Sequence, residues 1–178
     1  MIVLRRDMLK SGGGILAALL FTPAIARAGP VAEIVMQGRP DGSHVWYEPW
    51  GLRVKPGTTI RWTNADQGNS HTATAYHPAL GGRPLRMPEG AEPWDSDYLL
   101  PGESFTVRLD IEGVYDYFCV PHEHAGMVGR IVVGTPEAGA ARAYPAGSGE
   151  TALPAAALEG FPAVADILAS GHVSRGKL

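Results

Sequence analysis

Cysteine is almost absent: Cys119 is the only one in 178 residues, which excludes an intramolecular disulfide and any two-cysteine binuclear metal centre. Histidine is also scarce, with six in all, too few to furnish a trinuclear metal cluster beside a second site. No long hydrophobic run is present. The apolar stretch from about Gly14 to Ala26 falls short of the roughly 20 residues a spanning helix needs, and Pro23 interrupts it. An excess of positive charge is missing too. The formal net charge is −3, which argues against nucleic acid as a partner. Finally, 23 Gly and 15 Pro leave little room for long helices and favour short strands joined by turns.

Residues 1–28 have the makeup of an export signal. Arg5-Arg6-Asp7-Met8-Leu9-Lys10 precedes the apolar stretch, and Ala26-Arg27-Ala28 supplies a small-residue cleavage site. The paired arginines, Lys10 and Gly12 to Gly14 fit the twin-arginine type, so the expected destination is the periplasm, with no membrane insertion of the mature chain. Cleavage after Ala28 removes four basic residues (Arg5, Arg6, Lys10, Arg27) and one acid (Asp7). The mature chain then has 11 basic against 17 acidic groups, a net −6. In an oxidising compartment a spare thiol is a hazard, so Cys119 calls for a reason.

Along the mature chain, strand signals recur at turn-separated intervals. Val31 to Met36 ends at the turn cluster Arg39-Pro40-Asp41-Gly42; Val45 to Tyr47 and Leu52 to Val54 follow. After Pro56-Gly57, Thr58 to Asn64 alternates with Ile60 and Trp62 on one face, as does Ser104 to Leu109 with Phe105, Val107 and Leu109. Val114 to Cys119 and Gly129 to Val133 complete the set, and Tyr76 to Asp97 reads as a long loop. Seven or eight short strands predict an all-β, two-sheet sandwich over residues 29–134. Residues 135–178 are an Ala/Pro/Gly-rich tail in which Pro162 to Ser170 has the pattern of a short helix, with Val164, Ile167 and Leu168 on one stripe.

The segment Cys119-Val120-Pro121-His122-Glu123-His124-Ala125-Gly126-Met127 gathers a thiolate, an imidazole and a thioether within nine residues. Two imidazoles and one thiolate in a plane, with a long axial Met, form the set suited to copper electron-transfer sites. The second imidazole is expected from His71, which follows the Trp62 strand and a polar loop and opens the next extended piece. Loops at one end of a sandwich cluster, so the metal set is His71, Cys119, His122 and Met127.

These residues carry a family resemblance. His71, Tyr115-Asp116-Tyr117-Phe118-Cys119, Pro121-His122, Met127 and Gly129 make the chain resemble the cupredoxins of the plastocyanin, pseudoazurin and amicyanin group, over about Val31 to Gly134. The Cys-x2-His-x4-Met spacing is similar to the plastocyanin and pseudoazurin pattern, whereas the amicyanin pattern would need Met at Ala125. A register using His124, reminiscent of azurin, would need Met at Val128. The resemblance implies an eight-stranded Greek-key sandwich, one type 1 copper cycling between Cu(I) and Cu(II), and no catalytic activity. It also implies His122 as the exposed ligand, with Pro121, Ala125 and Gly126 around it as a docking face. One departure is Thr72, where many members carry Asn; its hydroxyl is the group available to tie the two ligand loops together.

The expected role is a monomeric, mobile electron carrier whose partners are redox proteins such as a cytochrome c or a periplasmic dehydrogenase or reductase. The rival is a periplasmic copper-binding or copper-delivery protein, motivated by His124 and His77. Otherwise His124, His77 and His44 read as surface residues, and Trp46, Trp50 and Trp62 as packing residues. The acidic set Glu89, Glu92, Asp95 and Asp97 reads as a solvated loop with the capacity to steer a basic partner.

Overall fold

A computed structural model describes residues 29–42, 44–136, 144 and 152–175; the expected export signal lies outside them. Among the described residues nine strands form two sheets. They are β1 (Val31–Gly38), β2 (Val45–Glu48), β3 (Gly51–Val54), β4 (Thr58–Asn64), β5 (Thr74–Ala75), β6 (Ser104–Leu109), β7 (Gly113–Phe118), β8 (Val128–Val133) and β9 (His172–Val173). The first sheet runs β2-β1-β4-β6 and the second β5-β7-β8-β3-β9. β1 pairs with β4 and β3 with β8 in parallel; the other ladders are antiparallel.

The period-two pattern puts Ile60 and Trp62 on the inner face of β4, both fully buried, with Phe105 directly opposite Trp62 on β6. Trp62 is the hub of the core: its ring lies 5.7 Å from Trp94, 6.3 Å from Phe105 and 5.4 Å edge-on from Tyr117. Tyr47 stacks obliquely on Tyr117 at 4.7 Å and donates its hydroxyl to the Thr72 carbonyl at 2.5 Å. Trp46 and Trp50 are only half-buried.

The strand β7 alternates as a strand must, yet both of its faces are covered. Tyr115, Tyr117 and the following Cys119 join the inter-sheet core, while Val114, Asp116 and Phe118 point outward and are buried as well. The cover comes from the C-terminal segment, which folds as α1 (Ala155–Gly160), α2 (Val164–Ser170) and β9. Leu153 and Ala157 pack with Tyr76, Phe118 and Val128, and Ile167 packs with Val114 and Val132. β9 pairs with β3 and closes the edge of the second sheet, a protection that an unpaired strand needs. The expected helix over 162–170 is therefore present as α2 with its apolar stripe inward. The shorter α1 and the docking of the whole segment carried no periodicity to read.

The Gly129 of the sequence motif has a packing cause. It sits opposite Tyr117 in the β7–β8 ladder, and a Cβ there would strike the phenol ring, with Cε1 at 2.7 Å. Tyr117 is fully buried between Tyr47 and Trp62 and has nowhere to retreat. Gly129→Ala is expected to destabilise by about 1–3 kcal/mol, as overpacking of a filled core does, measured by denaturant unfolding. An unchanged unfolding midpoint would show that the ring can move.

Candidate metal centre

The ends of β7 and β8 and the segment before β5 meet at one pole of the sandwich. Cys119 directly follows β7, and its backbone N–H donates to the Met127 carbonyl at 3.0 Å. Between them Val120–Ala125 forms a short 3-10 helix, with Pro121 in its first turn. This loop closes on itself through His122 N–H to the Cys119 carbonyl (3.0 Å) and Met127 N–H to the His122 carbonyl (3.1 Å). Gly126 ends the helix in the left-handed region (φ 75°), a conformation that glycine adopts at no steric cost. His71 is held from the other side by paired backbone bonds with Leu99, 3.2 and 2.8 Å.

Three donor atoms converge. His71 Nδ1 lies 3.6 Å and His122 Nδ1 3.4 Å from Cys119 Sγ, and the two nitrogens are 3.2 Å apart. An ion at the centre of a triangle of these dimensions sits about 2 Å from each corner, the length of a metal–imidazole bond. His71 and Cys119 are fully buried and His122 is half-exposed. Met127 is fully buried in the same core cluster as Cys119, and its backbone closes the ligand loop. Three of the residues expected from the sequence, His71, Cys119 and His122, thus converge on one point, and Met127 lies in the core cluster beside them. Two imidazoles and a thiol with a neighbouring thioether are soft and borderline donors, the chemistry that suits copper in both oxidation states.

Electrostatics prepare the donors. Burial lowers the pKa of both His71 and His122, in the second case with help from the neighbouring His71, so both rings favour the neutral form that binds metals. Burial pushes the Cys119 thiol up to about 11, against the pull of hydrogen bonds from Thr72 and His122. The Thr72 N–H donates to Sγ at 3.3 Å. The Thr72 hydroxyl accepts from Val120 N–H at 2.9 Å, so it does tie the two ligand loops, and it bonds on to the Thr74 hydroxyl, which donates to Asp95.

Two further carboxylates escaped the sequence reading. Asp66 accepts from His71 Nε2 at 2.9 Å. Glu123, inside the ligand loop, is 1% exposed and is held by the Tyr76 hydroxyl at 2.9 Å and by Arg83 at 2.8 Å. Neither partner is near in sequence on a regular element, so no spacing signals them. His124, Pro121 and Ala125 are exposed as expected, but Gly126 is not: it is buried beneath α1, where a Cβ would meet the Ala156 carbonyl oxygen at 2.9 Å. The docking face around His122 therefore loses Gly126. Glu89, Glu92, Asp95 and Asp97 are all exposed.

Comparison with known proteins agrees with this geometry. Residues 34–134 match the family model for copper binding proteins of the plastocyanin/azurin family. A chloroplastic plastocyanin of Tetradesmus obliquus is 38% identical over 94 residues, 52% of this chain and 61% of that one, so less than two thirds of the algal chain is spanned. A pseudoazurin of Methylorubrum extorquens is 31% identical over 121 residues, covering 67% of this chain and 72% of its own. A solved pseudoazurin structure from Sinorhizobium meliloti superposes with a TM-score of 0.50 at 29% identity, over 78% of this chain and 98% of that one. With the donor set fitting the metal that the family binds, the chain belongs to the plastocyanin/azurin family of copper-binding proteins, and its cofactor is one type 1 copper ion.

Proposed function

We propose that the mature chain is a periplasmic electron carrier whose copper is held by His71, Cys119, His122 and Met127, with no substrate chemistry of its own. The observation that carries this reading is the closure of the donor set. His71 and Cys119 are fully buried and only His122 reaches the surface, which leaves an electron a short way out through the imidazole and a substrate no open position. Copper there supplies one-electron redox between Cu(I) and Cu(II). The residues hold the donors still. The Cys119–Met127 and His122–Met127 backbone bonds, the Thr72 tie and the Glu123–Arg83 ion pair oppose the rearrangement that a change of oxidation state would otherwise require, and small reorganisation favours fast transfer.

Export through the 1–28 segment and a sandwich domain over 29–134 belong to the same proposal. Among the described residues no helix is long and apolar enough to cross a membrane. The exposed acids of the 89–97 loop suit a basic redox partner such as a cytochrome c, met by a monomer of this chain. Copper delivery is the competing reading; the burial of His71 and Cys119 speaks for retention over release.

The experiment is the visible and EPR spectrum of the mature protein with one equivalent of Cu(II), followed by repeated reduction and reoxidation. The expected result is an intense blue thiolate-to-copper band with narrow copper hyperfine splitting that returns undiminished over the cycles. A pale, ordinary Cu(II) spectrum, or copper lost on each reduction, would overturn electron carriage in favour of delivery.

A further inference from the structure

Asp66 stands in the loop that follows β4, five residues before His71, and its side chain is built into place from every direction. Its own backbone N–H is held by Asn64 Oδ1 at 2.9 Å. Carboxylate Oδ1 accepts from Gly68 N–H at 2.8 Å, and Oδ2 accepts from Asn69 Nδ2 at 2.8 Å and from His71 Nε2 at 2.9 Å. Asp66 is 5% and His71 0% exposed. Across the sandwich edge, Gly38 at the end of β1 leaves the space that the carboxylate fills: a Cβ on Gly38 would collide with Asp66 Oδ2 and lie 2.6 Å from its Cγ. The His71 ring, neutral in its buried place, meets Asp66 through the Nε2 hydrogen bond. Among the described residues no Lys or Arg is bonded to Asp66, and its Oδ2 is directed at the imidazole.

We propose that Asp66 is a positioning residue of the copper centre, one that fixes Nδ1 of His71 as the metal-facing atom and biases the centre toward Cu(II), lowering its reduction potential. The inference rests on the copper reading above. A histidine whose remote N–H is held by a carboxylate presents one tautomer and one ring orientation, and its other nitrogen becomes a stronger donor. Here the remote atom is Nε2, bonded to Asp66, and the free atom is Nδ1, aimed at Cys119 Sγ and His122 Nδ1. A stronger donor and a nearby buried negative charge both favour the doubly charged ion over the singly charged one. The interaction is strengthened by burial, because water does not screen it. A structural carboxylate that merely capped the 66–69 turn would need only the Gly68 and Asn69 bonds.

Three variants separate charge, orientation and placement. Asp66→Asn keeps an acceptor for Nε2–H and removes the charge; Asp66→Ala removes both; Gly38→Ala keeps the charge and displaces it. Their midpoint potentials are measured by voltammetry beside competition titrations with Cu(II) and Cu(I). In all three the Cu(II):Cu(I) affinity ratio is expected to fall, by about 10-fold or more for Asp66→Asn, within the range seen for such supporting groups; tenfold corresponds to a potential about 59 mV higher. The metal-free proteins are compared by nitrogen NMR of the imidazoles, where the native chain should show His71 protonated at Nε2 alone and Asp66→Ala a mixture of tautomers. Potentials in Asp66→Asn and Gly38→Ala equal to the native one, in proteins that remain blue and folded, would overturn the proposal. Absence of the blue band from the native protein would instead strike the copper reading, and the metal-free spectra would still decide whether Asp66 sets the tautomer of His71.

Discussion

Replacing Cys119 with Ser is expected to abolish the blue absorption completely while leaving the fold in place. Cys119 supplies the one sulfur of the three convergent donors, and with no second cysteine in the chain nothing can substitute for it. A serine hydroxyl of nearly the same size fits the space and can accept the Thr72 N–H that now meets Sγ, so the far-UV spectrum should not change. Chemically the exchange is drastic. A thiol whose pKa stands near 11 in its buried, metal-free state is still brought to the thiolate by a bound metal, because a coordinating thiol is deprotonated outright. An alcohol is a much weaker acid and a hard donor, poorly matched to Cu(I). Titration with Cu(II), followed by visible absorption and EPR, should give a pale species with ordinary wide hyperfine splitting. A blue band of native intensity in this variant would place the thiolate elsewhere than the copper and undo the ligand assignment.

The site was legible because its ligands are bunched. Cys119, His122 and Met127 share one loop between two strands, and the spacing of unlike donors over nine residues is hard to produce by packing needs alone. His71 could be assigned because strand signals on both sides of it placed it at the same end of the sandwich. The inner face of the first sheet was legible for a similar reason: Ile60 with Trp62 on β4, and Phe105 with Val107 on β6, repeat at the period of the pleat. What stayed hidden depends on contacts between distant segments without period. Asp66 reaches His71 around a loop, where no fixed offset applies. Glu123 meets Arg83 forty residues away. The stripe of Val164, Ile167 and Leu168 announced α2, whereas α1, with six residues, is too short for a stripe to declare itself in an Ala- and Gly-rich background. Their docking is announced only indirectly, by the apolar Val114 and Phe118 of β7 and Val128 and Val132 of β8 on what would otherwise be a solvent face.

That outer face also contains the feature with the largest expected effect on stability. Asp116, fully buried on β7, receives two guanidinium forks: Arg130 through Nε (2.7 Å) and Nη2 (2.9 Å), and Arg86 through Nε (3.1 Å) and Nη2 (2.9 Å). Both arginines reach the C-terminal half of the chain. Arg130 donates to the Pro162 carbonyl at 2.7 Å, Arg86 to the Tyr144 carbonyl at 2.9 Å, and both guanidinium groups lie over the Phe161 ring, at 5.0 and 4.8 Å. One carboxylate thus balances two buried cations that pin the C-terminal segment to the sheet. Asp116→Ala would remove the carboxylate that both guanidinium groups share, and breaking a buried ion pair by removing one partner costs about 3–5 kcal/mol. In a chain of this length such a loss lowers the melting temperature by about 6–20 °C, to be read by calorimetry. The copper spectrum of the protein that remains folded should be unchanged, since Asp116 points away from the inner face that carries Tyr115, Tyr117 and Cys119. A melting temperature equal to the native one would mean that Arg86 and Arg130 find other anions. A melting temperature that falls together with a lost blue band would mean that the C-terminal segment, which touches the ligand loop at Gly126, also holds the metal site in shape.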